Sequence, residues 1–182
     1  IKQAQDAWAK LSAQYASKAP APYDRDPTLA ASLGEVTKVY AKASEQVNAK
    51  QLTDAHNTLE AARDIMADMR HRNNVVVFSD HMNAYHSEME KLLIDGPKIM
   101  TKAHGMHLLS AQAGVLAYLS KRLTSEAPAN LNGNAEFRKL VIAVDQSIAA
   151  LQAALLTDNF DAVKDAMSKV KKPYSQLFLK FG

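Results

Sequence analysis

Apolar residues recur along this chain at spacings of three and four, in runs separated by short clusters of Gly, Pro, Asn and Asp. That period belongs to helices, and the runs are filled with Ala, Leu, Lys, Gln and Glu, which favour them. The pattern predicts helices over 1–17, 29–48, 52–72, 80–94, 98–125, 135–156 and 159–180. The expected breaks are KAPAPYDRDP, NAKQ, NNVVVFS, DGP, SEAPANLNGN and TDN. The run Val75 to Phe78 is the one strand-like signal, and it is too short for a sheet. It predicts an extended connector, with Ser79 or Asp80 capping the helix that follows.

The last two runs form the clearest pair. Val141, Val144, Ile148, Leu151 and Leu155 make one stripe, and Phe160, Val163, Met167, Val170, Tyr174 and Leu177 make the next. Two such stripes joined by a short turn bury each other as an antiparallel pair. Pro173 lacks an N–H and predicts a kink or a restart in the final helix. The first half repeats the plan with Leu33, Val36, Val39, Tyr40, Ala43 and Val47, then Leu52, Ala55, Leu59, Ala62, Met66 and Met69.

A shift of 108 residues aligns the two halves without a gap. Ser17-Lys18-Ala19-Pro20-Ala21 then falls on Ser125-Glu126-Ala127-Pro128-Ala129, Val36 on Val144 and Met69 on Leu177. Identities are few. The shared phase and the shared Ala-Pro-Ala loop carry the case for an internal duplication of 1–72 and 109–180. Residues 73–97 have no counterpart and read as a linking region. The expectation is a single all-α domain over 1–182, an antiparallel up-and-down four-helix bundle with additional N-terminal and linking helices.

Composition narrows the chemistry. The 182 residues are 47% apolar and 23% charged, within the range of globular proteins. There is no cysteine, so disulfides, thiolate metal sites, covalent c-type haem and cysteine nucleophiles are excluded. No apolar run reaches the roughly 18–20 residues that a membrane span needs. Residues 1–95 carry 11 Lys/Arg against 13 Asp/Glu, and residues 96–182 carry 11 against 6. A nucleic-acid site would want more Arg and aromatics interleaved with the late basic residues, so no nucleic-acid partner is expected; an acidic protein partner is compatible with them. Glycine-rich phosphate loops, G-x-S-x-G and H-E-x-x-H are all missing, and the expectation is a protein that is not an enzyme.

Four of the six histidines lie between positions 81 and 107. Met82, His86 and Met89 share a helix face at i, i+4 and i+7, and His86 and Glu90 are an i, i+4 pair. Met100, His104 and His107 repeat the spacing. If the two segments pack together, or form one helix kinked at Gly96-Pro97, the faces converge. Imidazole with thioether suits copper, imidazole with carboxylate suits zinc, iron or nickel, and Met/His or His/His sets suit haem. Met82, Met89 and Met100 are therefore candidate cofactor contacts, and His86, Glu90, His104 and His107 candidate metal ligands. The competing reading makes the methionines core filler and the histidines its flanks. His56, Glu60, Asp64 and Asp68 form a second constellation, which also reads as the wet side of a helix. Asp68 with His71 is the nearest approach to the Glu-x-x-His of di-iron bundles.

The C-terminal hairpin, SIAALQAALLTDNFDAVKDAMSKVKKPYSQLFLKFG, resembles the end of the soluble periplasmic cytochrome b and cytochrome c-prime superfamily. The resemblance implies an antiparallel bundle and a periplasmic address. Its haem ligands are not matched, because the chain has no Cys and its last helix has no His. The leading expectation is an extracytoplasmic binding protein for a transition metal or haem, with its site in 79–107. The alternative is a cofactor-free interaction, sensor or scaffold bundle that docks a partner through Val76 and Phe78.

Overall fold

A computed structural model describes residues 1–157 and 159–182. Among these residues the chain is all-α, with no strand. It divides into two compact units, 1–76 and 77–182. The TDN break includes Asp158, which lies outside the described residues.

In the first unit, α1 (Lys2–Tyr15) packs on α2 (Leu29–Asn48), and α2 packs on α3 (Leu52–Arg72). Trp8, Leu29, Leu33, Val36 and Ala62 form its core. The indole Nε1 of Trp8 donates to the Leu33 carbonyl and to Thr37 Oγ1, each at 3.2 Å, so the buried ring keeps its polar end satisfied. At one end Asp26 accepts from the Thr28 hydroxyl, the Asn73 amide and the Arg72 guanidinium. Those donors, the Thr28 hydroxyl foremost, hold its carboxyl well below the usual carboxylate range.

The second unit is a four-helix arrangement. Helix α4 (Phe78–Met100) packs on α5 (Gly105–Ser125), α5 on α7 (Ala135–Leu155), and α7 on α8 (Phe160–Lys169) and α9 (Lys171–Phe181). Helices α8 and α9 close the ring by packing on α4. A short α6 (Ala129–Asn132) lies in the loop before α7. Asn134 Oδ1 caps α7 by accepting from the Glu136 and Phe137 amides, and Asn159 Oδ1 caps α8 from the Ala162 amide. The core runs through all four positions of the ring, from Met82, Tyr85, Met89 and Leu92 on α4 to Tyr174 and Leu177 on α9.

Two expected breaks behave differently. Pro173 splits the last helix as expected: α8 ends at Lys169 and α9 begins at Lys171, because the ring removes the bond to the Lys169 carbonyl. The Asp95-Gly96-Pro97 break does not form, and α4 runs through it to Met100. Gly96 is there for packing. A Cβ on it would lie 2.8 Å from Met167 Sδ, so the missing side chain lets α8 approach α4. The turn comes later, at 101–104, where His104 takes a left-handed φ of 59°. Gly105 follows, and a Cβ there would sit 2.1 Å from the Ile99 carbonyl oxygen. The stretch read as a linking region is therefore mostly the first helix of the second unit.

The connector before α4 is extended, as the sequence implies, and Asp80 accepts from the Val77 amide at 3.0 Å. Its apolar run splits. Val76 is 62% exposed, whereas Phe78 packs edge-on against Phe137 with ring centroids 5.8 Å apart.

Candidate functional site

Helix α4 carries the densest set of sequence-predicted ligands. Helical spacing aims Met82, Tyr85, Met89 and Leu92 at the core, and all four are 0% exposed. Met82 and Met89 are packed among the aliphatic and aromatic residues of the ring. His86 lies at the edge of this stripe. Its Nε2 is 3.2 Å from Glu90 Oε1, and its ring stacks on Tyr174 with centroids 5.6 Å apart. Lys171 Nζ lies 4.0 Å from the same Glu90 oxygen, tying α9 to α4.

The second ligand group lies elsewhere. From His86 to Met100 the helix climbs about 21 Å. His104 and His107 follow at the far end of the α4–α5 hairpin, where their rings are 6.0 Å apart and both side chains are exposed. Met100 packs against the core rather than facing them across a shared site. The hairpin thus brings His86 and Glu90 together at one level, and His104 and His107 together at another. Among the described residues, no three His, Asp or Glu side chains gather closely enough to hold a metal ion.

On α3, Glu60 pairs with Arg63 at 2.5 Å, Arg63 reaches Asp64 at 3.3 Å, and His56, Asp64, Asp68 and His71 face solvent. On α4, His81 is held below its ordinary imidazole value, first by burial and then by the Arg122 guanidinium.

Two features escape a reading of single helices. One is the aromatic cluster of Tyr85, His86, Tyr174 and Phe178, in which the Tyr85 and Tyr174 rings stack at 5.0 Å. Among the described residues the Tyr85 hydroxyl has no hydrogen-bond partner, and burial pushes it well above the usual phenol value. A Tyr at a core position was the available signal, since a buried hydroxyl seeks a partner.

The other feature is an apolar groove in the first unit, about 270 Å³, lined by Leu11 and Tyr15 of α1, Leu29 and Leu33 of α2, Met69 of α3, and Ala19, Pro20 and Tyr23 of the segment between α1 and α2. Leu11 is 38% exposed there. The signal for it lay in the alignment of the two halves: a segment without a counterpart means that one half has a helix the other lacks.

Comparisons with models of known protein families, with curated proteins and with solved structures found no match in any of the three. Among the described residues no helix is long and apolar enough to cross a membrane.

Proposed function

We propose that this chain is a protein-interaction module without catalytic activity, and that the groove of its first unit is where a partner docks. The observation that carries this is the apolar lining of Leu11, Tyr15, Leu29, Leu33 and Met69, left open on a unit of three helices. An exposed, concave apolar surface of this kind marks association far more often than scattered single residues do. The test is a photo-crosslinking residue placed at Leu11, with Leu52, 66% exposed, as the control position. A discrete adduct from Leu11 in an extract of the source cells, absent from Leu52, supports docking where excess unmodified chain competes it away and the Leu11→Glu chain does not; no adduct from Leu11 contradicts it. The same adducts from both positions contradict it.

A second reading keeps the metal. The paired rings of His104 and His107 offer two exposed imidazoles, the ligand type that copper, nickel and zinc favour and a partial ligand set for any of them, in the extracytoplasmic setting the C-terminal hairpin suggests. Titration with copper, zinc, nickel and iron salts, and with haemin, tests it. Binding tighter than about 10 µM that disappears in His104→Ala supports the reading, and weaker or unchanged binding removes it.

A further inference from the structure

The two units follow one helix plan. Under the shift of 108 residues, α1 falls on α5, α2 on α7, and α3 on α8 with α9. Every residue buried in the first unit falls on a buried residue of the second: Trp8 on Leu116, Leu29 on Phe137, Leu33 on Val141, Val36 on Val144, Ala43 on Leu151, Ala55 on Val163, and Ala62 on Val170. Seven agreements across a gapless alignment with few identities mean that the same positions face inward in both units.

Besides the break between α8 and α9 and the short elements of the loops, the plan differs in the fourth helix. In the second unit α4 covers the face formed by α5, α8 and α9, and Leu123, Tyr174 and Leu177 are buried. Their counterparts in the first unit, Tyr15, Met66 and Met69, are only half-buried. Leu29, which lines the groove, is the counterpart of Phe137, on which Phe78 of α4 rests. The groove is therefore the place that an aromatic residue at the start of a fourth helix would fill. Charge agrees as well. Lys171, which approaches Glu90 of α4, has Arg63 as its counterpart, so both units carry a basic residue at that aligned position, Arg63 being engaged by Glu60 and Asp64 of its own helix.

We propose that the first unit takes an amphipathic partner helix built like α4, seated between α1 and α3. This helix carries an aromatic residue at its start, apolar residues four, seven, eleven and fourteen positions on, and an acid twelve positions on, as Phe78, Met82, Tyr85, Met89, Leu92 and Glu90 do. Helix-in-groove recognition supplies the physics: apolar anchors at helical spacing enter the groove, and a flanking charge sets register. The proposal rests on the docking reading above and specifies its partner.

The test uses the full chain and a fluorescein-labelled peptide of residues 78–100, with a peptide of the same composition whose apolar residues are spread around the helix as control. An apolar dye, anilinonaphthalene sulfonate, probes the groove independently. The expected result is a saturable rise in anisotropy with Kd on the order of 10 µM, at least ~10-fold weaker in Leu11→Glu and Leu11→Ser, each with an unchanged circular dichroism spectrum. Equal binding of both peptides, or binding indifferent to the Leu11 variants, overturns the helix proposal. So does concentration-dependent self-association that Leu11→Glu abolishes, which would make a second copy the occupant. If the dye or the Leu11 crosslink still reports the groove while the peptide fails, the docking reading stands and the helix falls. If none reports it, both fall.

Discussion

The hydroxyl of Tyr174 donates to the main-chain carbonyl of Met82 at 2.8 Å, across 92 residues of sequence. Through this bond and the stacking of its ring on Tyr85 and His86, α9 holds α4 to the second unit. The Met82 carbonyl lies inside a helix and keeps its place there without the bond. Tyr174→Phe should therefore cost about 1 kcal/mol, whereas Tyr174→Ala should cost about 3–5 kcal/mol by opening a cavity in the ring. Urea unfolding followed by far-ultraviolet circular dichroism measures both.

Four glycines give graded outcomes. Gly105→Ala forces a Cβ to within 2.1 Å of a main-chain oxygen, which cannot move aside. The loss should be on the order of 3 kcal/mol or more. Gly96→Ala meets the flexible end of Met167 at 2.8 Å, so the loss should be about 1 kcal/mol. Gly34 and Gly114 have open space around them inside helices, and alanine at either should stabilise its unit by about 0.5–1 kcal/mol. Thermal unfolding of the four variants orders them.

Acid should weaken the second unit through His81. Its folded value lies below the ordinary one, so the protonated form is disfavoured in the folded state. The stability this contributes is present above the ordinary imidazole range and is lost as pH falls from there through the folded value. An NMR titration should find His81 below the value of a free histidine. Arg122→Gln should raise it, because the guanidinium is the second cause of the shift after burial. Asp26 acts alike in the first unit at lower pH: its carboxylate contributes stability above the ordinary carboxylate range and loses it on acidification.

Met82→Leu and Met89→Leu should each cost less than about 1.5 kcal/mol, as volume-conserving changes in a packed core do. Neither should alter metal or haemin binding, if any is found. A loss of bound metal in either variant, measured by titration calorimetry, would restore these methionines as ligands.

Most of the fold could be read from spacing. The stripes in 29–48 and 52–72 match α2 and α3 in extent, and the restart at Pro173 follows from its missing N–H. The Gly96-Pro97 error has a physical cause. Sequence shows that glycine tolerates a turn, but not that Met167 needs room beside it. The site was harder to read. The shared helix face correctly grouped His86 with Glu90, but Met100, His104 and His107 do not share one: Met100 ends α4, His104 lies in the turn at 101–104 and only His107 is on α5, and no spacing rule reveals that this turn sets the two histidine groups apart. The groove depends on residues from three helices, and only the unmatched segment at 73–97 pointed to it.

The claim that the first unit presents a seat for an α4-like helix is tested most directly at its methionines. The chain has seven, and those of the two units report separately. With methyl-labelled methionine in the full chain, the 78–100 peptide should shift the resonances of Met66 and Met69, leaving buried Met82 and Met89 in place. Shifts confined to Met82 and Met89, or none at saturating peptide, would contradict it.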